Sequence, residues 1–203
     1  MGYAITILLS YLLGSSSMAF YLSKIKSVDV RQNGSGNLGA SNTTALLGWG
    51  AGVLVAVHDI GKAVLAVVLA KHLFPDLVYI GIVAGVACVL GHIFPFYLGF
   101  RGGKGFASFW GMTLALNWKL ALMVGILAII VTLVTDYIAL ATTMTAVVVP
   151  VYTAFEFHNL VPLLIMLIAT LVMIWKHWEN YIRIFKGEEI GLRSAASGKH
   201  RIK

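Results

Sequence analysis

Apolar residues run along this chain in long, nearly unbroken blocks: residues 3–21, 45–70, 77–98, 106–116, 120–134, 137–155 and 160–178. A helix of about 20 residues crosses the roughly 30 Å hydrocarbon core of a bilayer, and most of the blocks approach that length. The pattern predicts an all-α fold, a polytopic membrane helix bundle of about seven transmembrane segments. The block 106–116 is the exception. It yields about 17 Å of helix, too short to cross unaided. It is expected to continue from a re-entrant loop, where protein or trapped water must satisfy the backbone.

Composition sharpens this picture. Of 203 residues, 59% are hydrophobic and 11% are charged, against about 25% charged in a soluble domain. There is too little polar sequence to coat a water-soluble core, so residues 1–203 read as a single integral membrane domain with a basic C-terminal tail. No linker, low-complexity tract or internal repeat interrupts it. Cys88 stands alone in an apolar run, as a small buried hydrophobe would. Met1-Gly2 with Thr6 matches a myristoylation pattern only formally. The run ending in Gly14-Ser15-Ser16-Ser17-Met18-Ala19 resembles a signal peptide, but no basic residues precede it, and a retained first helix is expected.

Charge gives the orientation. With the N-terminus outside and seven crossings, the inner set is Lys24, Lys26, Arg31, Arg101, Lys104, Lys176, Arg183, Lys186, Arg193, Lys199, Arg201 and Lys203. That is 12 of the 15 Lys and Arg residues. Lys71 and Lys119 fall outside, and Lys62 lies within a span. The positive-inside rule therefore predicts a multi-pass protein of the cell membrane with its C-terminus cytoplasmic. The net charge of +7 then faces the anionic inner leaflet. The basic tail has no base-stacking pattern, and no nucleic acid partner is expected.

Two polar segments could carry chemistry. The first is Gly34-Ser35-Gly36-Asn37-Leu38-Gly39-Ala40-Ser41-Asn42-Thr43-Thr44, between the first two spans. Glycines let backbone N–H groups turn inward, and Ser35, Asn37, Ser41 and Asn42 add short donors, a composition suited to an anion at a helix start. Its G-x-G-x-x-G spacing, with Asp59 twenty residues on, mimics a dinucleotide fingerprint. The strand that fingerprint needs is absent, because both flanks are membrane helices. The second segment is Gly91-His92-Ile93-Phe94-Pro95-Phe96-Tyr97-Leu98-Gly99-Phe100-Arg101-Gly102-Gly103-Lys104-Gly105. Arg101 and Lys104 among glycines can clamp a phosphate. It is no Walker A loop, since Gly105 stands where Ser or Thr is required.

Other polar residues read more simply. Asp59 and Lys62, one turn apart within a span, are expected to pair with each other. His58 reads as a buried, hydrogen-bonded histidine, and His92 as one that fixes its loop. His177 and Asn180 share a face at the inner end of the last span. No cysteine or acidic set completes a metal site, and no cofactor is expected.

Taken together, these segments resemble the bacterial membrane glycerol-3-phosphate acyltransferases that use acyl phosphate as donor, the PlsY family. The resemblance begins at Tyr11-Leu12-Leu13-Gly14-Ser15. It passes through Val28-Asp29-Val30-Arg31, the Gly34-Ser35-Gly36-Asn37 loop, Asp59-Ile60-Gly61-Lys62, Gly91-His92-Ile93-Phe94-Pro95 and Gly102-Gly103-Lys104-Gly105. It ends at His177-Trp178-Glu179-Asn180. It implies a seven-helix fold and the reaction of acyl phosphate with glycerol 3-phosphate to lysophosphatidic acid and phosphate, a step of phospholipid synthesis. The same resemblance implies that neither acyl-CoA nor acyl carrier protein is used directly. The resemblance assigns catalytic roles to Ser35, Lys104, His177 and Asn180, with Gly34, Gly36, Asn37, Ser41, Asn42, Arg101, Gly102 and Gly103 binding substrate. For the base, both His177 and a substrate phosphate oxygen are candidates.

The chain departs from the family pattern in three places. Ala45 stands where Gly-Ala-Thr-Asn-x-x-Arg has its arginine, Ala63 replaces a glycine, and Gly14-Ser15-Ser16-Ser17 lacks the common Ile-Pro. Two other readings compete with the enzyme. Broken helices and intramembrane charges also suit a transporter or channel for a small phosphorylated anion, but the outer loops around residues 72–75 and 157–159 are short and poor in binding residues. The other is an inactive scaffold. The sequence assigns neither acyl-chain preference nor oligomeric state.

Overall fold

Every regular element of the protein, a computed structural model that describes residues 1–189, Gly191 and Arg193, is helical. The far end of the basic tail, with Lys199, Arg201 and Lys203, lies outside the described residues, and so does the question of which way it faces.

The first apolar block forms two helices. α1 (Gly2–Ser15) stops at Ser16, and α2 (Met18–Lys26) starts after Ser17, whose hydroxyl accepts the Phe20 N–H at 3.3 Å. A short helix, α3 (Ala40–Leu47), follows the glycine loop, and α4 (Trp49–Leu73) follows Gly48. The sequence predicts one helix over residues 45–70, but the chain breaks at Gly48, which has φ of 88°. Hydropathy hides this break because Leu46, Leu47 and Trp49 are apolar on both sides of it.

α5 (Ile80–Ile93) ends just before Pro95, which opens a 3₁₀ turn over Phe96–Leu98. The short block is α6 (Phe106–Leu116), with the bounds expected. α7 (Trp118–Thr135) is capped by Asn117, which accepts the Leu120 N–H at 3.0 Å. α8 (Ile138–Phe157) contains Pro150. The last block becomes α9 (Val161–Lys176), and beyond its expected end follows α10 (Trp178–Lys186), bent by 42° from α9 about His177.

Among the described residues, five helical segments are long and apolar enough to cross a bilayer: Gly2–Lys26, Trp49–Leu73, Ile80–Leu98, Trp118–Thr135 and Ile138–Phe157. The bent pair α9 and α10 makes a sixth, and Phe106–Leu116 is the short apolar segment beside them. Their outward side chains suit lipid. On α7, Leu122, Ile126, Ile129 and Leu133 are all exposed, where water would oppose them and hydrocarbon does not.

The chain divides into two units, Met1–Leu116 and the part from Asn117 onward. In the first, α1 and α4 pack on α5, α6 packs on α4 and α5, and α3 lies along α4. A Cβ at Gly14 would strike the Cys88 backbone, and one at Gly91 the Tyr11 carbonyl, so α1 and α5 touch backbone to backbone, as small residues permit in membranes. Cys88 is buried there with Ala63 and Ala66. In the second unit α7, α8 and α9 pack in sequence, and the Thr170 hydroxyl donates to the Ala146 carbonyl at 2.8 Å to tie α9 to α8.

Candidate active site

The glycine loop between α2 and α3 is held by one side chain. Asn42, in the first turn of α3 and 5% exposed, donates from Nδ2 to the carbonyls of Val30 (3.0 Å), Asn33 (3.2 Å) and Asn37 (3.1 Å). Its Oδ1 accepts the Ser35 N–H at 2.9 Å. Gly34 sits in the left-handed region at φ of 62° with its Cα against Asn42 Oδ1, so a Cβ there would be both strained and obstructed. Asn42 thus spends both amide hydrogens and its oxygen on the loop. Ser35, Gly34 and Gly36 are exposed, and Asn37 is half-buried. Ser41, also exposed, lies on the first turn of α3.

The upstream arm of this loop is fixed separately. Val30 donates its N–H to Ser23 Oγ at 3.2 Å. Arg31 forks onto Asp29, with Nε to Oδ1 at 3.2 Å and Nη2 to Oδ2 at 3.1 Å, and its guanidinium lies 5.5 Å from the Phe20 ring centroid. Those Arg31 hydrogen bonds hold the Asp29 carboxyl below the usual carboxylate range.

The second loop is laid on α5. Gly102 N–H donates to the Ile93 carbonyl at 3.0 Å, and Gly103 N–H to the His92 carbonyl at 3.2 Å. The Cα of Gly103 faces the Nε2 edge of the His92 ring so closely that any Cβ would overlap it. Lys104 is half-buried beside this contact, whereas Arg101 is exposed. Gly105 accepts the Phe109 N–H at 2.8 Å and opens α6.

Both loops are anchored to one apolar core. Val30 and Leu38 of the first loop are buried in the same cluster as Leu98, which immediately precedes the second. Tyr97 adds to this by donating to the Ser15 carbonyl at 3.0 Å and packing edge-on against Phe20, with centroids 6.0 Å apart. The structure therefore brings together Gly34–Asn42 and Arg101–Lys104 on one unit, as two pinned glycine loops with a lysine and an arginine.

Beneath the second loop lies a buried polar cluster. Asp59 Oδ1 is 2.8 Å from Lys62 Nζ and 3.4 Å from Nδ1 of both His58 and His92. Lys62 donates to the Ser16 carbonyl at 2.7 Å and to His92 Nδ1 at 3.0 Å. An ammonium only donates, so Nδ1 of His92 accepts and its ring proton is on Nε2. His58 Nε2 is 3.0 Å from Ser16 Oγ. The expected Asp59–Lys62 pair is present, and the cluster also ties α4 to α5 and to the α1–α2 break. Removing one member of such a buried pair costs about 3–5 kcal/mol.

His177 and Asn180 belong to the second unit. His177, at the bend between α9 and α10, has Nδ1 2.8 Å from the Met173 carbonyl. A carbonyl accepts only, so that nitrogen carries the proton, and in the neutral ring Nε2 is the acceptor. Asn180 Nδ2 donates to Glu189 Oε1 at 2.5 Å, and Arg183 Nε to Glu189 Oε2 at 2.6 Å. Sequence reasoning missed Glu189. Its one signal was an acidic pair, Glu188-Glu189, in a basic stretch. Ser16 was missed as well, because a serine at a helix break carries no signal of what its carbonyl will accept.

A family model described as glycerol-3-phosphate acyltransferase matches residues 4–187. Among similar proteins is the glycerol-3-phosphate acyltransferase of Coxiella burnetii, 41% identical over 192 residues, covering 93% of this chain and 97% of that one. Another is that of Halalkalibacterium halodurans, 39% identical over 186 residues, covering 89% and 90%. The fold is similar to the crystal structure of PlsY (YgiH), an integral membrane glycerol 3-phosphate acyltransferase. Its glycerol 3-phosphate form superposes with a TM-score of 0.87 at 31% identity, covering 95% of this chain and 96% of that one. Its lysophosphatidic acid form gives 0.86 at 29% identity, covering 96% and 97%.

Proposed function

From the premise that the chain belongs to the glycerol-3-phosphate acyltransferase family, we propose that it moves a fatty acyl group from acyl phosphate to glycerol 3-phosphate. The products are lysophosphatidic acid and inorganic phosphate. The observation that carries this reading is the pair of glycine loops pinned to one core, with Lys104 and Arg101 on one and the Ser35 hydroxyl on the other. Both substrates are phosphate anions. Backbone N–H groups and a lysine on rigid loops offset such charge without reorganising during the reaction.

The chemistry needs no protein nucleophile, because acyl phosphate is already activated. The glycerol hydroxyl oxygen attacks the acyl carbonyl and forms the ester C–O bond. The C–O bond to phosphate breaks, and phosphate leaves with the electron pair. The hydroxyl proton passes to a base, for which His177 Nε2 and a substrate phosphate oxygen are the two candidates. The protein's main task is then to hold two anions in reactive alignment. Ser35 and Lys104 are assigned to the reacting groups. The remaining glycine-loop residues and Arg101 are assigned to phosphate binding, and Asn180 to polar contact with substrate. Asn42 supports Ser35 in this scheme. The enzyme is assigned to the cell membrane with its N-terminus outside, on the charge asymmetry of the sequence.

Donor choice tests the proposal. Purified protein is supplied with glycerol 3-phosphate and, in parallel, palmitoyl phosphate, palmitoyl-CoA or palmitoyl acyl carrier protein. The reading expects lysophosphatidic acid from palmitoyl phosphate alone. Turnover with either thioester and none with the phosphate would overturn it.

A further inference from the structure

His92 faces two ways. Its Nδ1 edge is held inside the protein by Lys62 Nζ at 3.0 Å, and Lys62 is in turn paired with Asp59 Oδ1 at 2.8 Å. Its Nε2 edge meets the Cα of Gly103 with no room for a methyl group between them. Its own carbonyl accepts the Gly103 N–H at 3.2 Å. The ring is 6% exposed, and Asp59 and Lys62 are 2% and 4% exposed. One residue therefore supports Gly103 through both backbone and side chain, while a buried ion pair prevents the ring from turning. Lys104 is the next residue in the chain.

We propose that His92 is the positioning residue for Lys104: clamped by Lys62, which Asp59 holds in place, its ring forms the floor that sets the height and direction of Gly102-Gly103-Lys104. This rests on the reading that Lys104 meets substrate phosphate. The ion pair is then more than a helix tie. Its function is to hold a neutral ring rigid beneath a cationic loop, so that the lysine is in place before substrate arrives. Preorganisation of this kind matters because a small misplacement of a charge-stabilising group is costly in rate.

The ring's two edges can be separated by mutation. In His92→Asn the shorter side chain keeps an oxygen able to accept from Lys62 but loses the edge that faces Gly103. The test compares wild type, His92→Asn, Lys104→Ala and the double variant, with palmitoyl phosphate and glycerol 3-phosphate as substrates and Tm measured alongside. If His92 acts through Lys104, His92→Asn lowers kcat/KM by about tenfold or more in the wild type, with Tm nearly unchanged, and by less than about twofold when Lys104 is already alanine. An equal loss in both backgrounds, or none in either, overturns the inference. Should His92→Asn not fold, His92→Gln serves instead. It keeps more of the buried volume, removes the ring, leaves the Asp59–Lys62 pair intact and carries the same two expectations. A Lys104→Ala protein as active as wild type overturns the role of Lys104 and this inference with it, whereas a folded wild type inactive with palmitoyl phosphate overturns the functional reading. Strong dependence on Lys104 with an additive His92 effect overturns the inference alone.

Discussion

The side-chain oxygen of Asn42 accepts the backbone N–H of Ser35 at 2.9 Å, seven residues earlier in the chain. The amide nitrogen of the same side chain donates to three further carbonyls of that loop. Asn42→Ala should therefore unpin the loop. Leaving a buried polar group without its partner costs about 1–3 kcal/mol, so both Tm and activity should fall. Asn42→Asp keeps an acceptor for Ser35 but turns a carboxylate oxygen toward carbonyls. It should be no better than alanine. An aspartate variant with wild-type stability would contradict this account of the loop.

Lys104 and Arg101 should differ sharply. Losing a charge-assisted contact in a sheltered site costs about 2–4 kcal/mol, or roughly 30- to 1000-fold in rate. Lys104→Ala should lose activity on that scale. Arg101 is exposed, and its loss should cost only a few-fold, since exposed charge is screened by water and salt. Equal and slight effects would leave these residues as positive-inside charge and nothing more.

Ala45 is exposed on α3, one turn beyond Asn42, where the family pattern has an arginine. Arg31 is the nearest cation in sequence to the loop, but its guanidinium is forked onto Asp29. The Asp29 carboxyl is held below its usual range. Its ionised form persists above the ordinary carboxylate pKa of about 4, and the pair weakens only as pH falls through the lowered value. At neutral pH, Arg31→Ala should thus leave the KM for glycerol 3-phosphate nearly unchanged. Ala45→Arg should lower that KM, by about tenfold per 1.4 kcal/mol regained. Steady-state kinetics on the two variants decide this. A rise in KM with Ala45→Arg would show that another group already fills the place.

Orientation is testable by single-cysteine labelling of intact cells in a Cys88→Ser background. Cys88 is buried, so its replacement serves only to remove background labelling. With the N-terminus outside, a cysteine at Asp76 should react with a membrane-impermeant maleimide and one at Ser35 should not. The reverse pattern would invert the topology.

The sequence showed the helices better than their breaks. Hydropathy sums over a window, so it located each apolar block, including the short α6. It ran straight through Gly48, whose neighbours are apolar, and it gave no bend at His177, because the last apolar block ends there, among Lys176, Glu179 and Asn180. Sequence spacing paired Asp59 with Lys62, which are one helical turn apart. It could not bring His92 or the Ser16 carbonyl to them, since those contacts depend on how α1, α4 and α5 pack. The assignment of Ser35, Lys104, His177 and Asn180 to the site was legible only as what the resemblance of ordered motifs implies. The part played by Asn42 was not. A short polar side chain beside a glycine loop looks the same in sequence whether it turns toward a ligand or back onto its own backbone.

The central claim is acyl transfer from acyl phosphate to glycerol 3-phosphate, and one isotope experiment tests it most directly. Purified protein is given glycerol 3-phosphate and palmitoyl phosphate carrying heavy oxygen in the bridge between carbonyl and phosphorus, and both products are read by mass spectrometry. Attack at the carbonyl predicts one lysophosphatidic acid for each inorganic phosphate, with the heavy oxygen wholly in the phosphate. No lysophosphatidic acid from folded protein, or phosphate released without the label, would contradict the account.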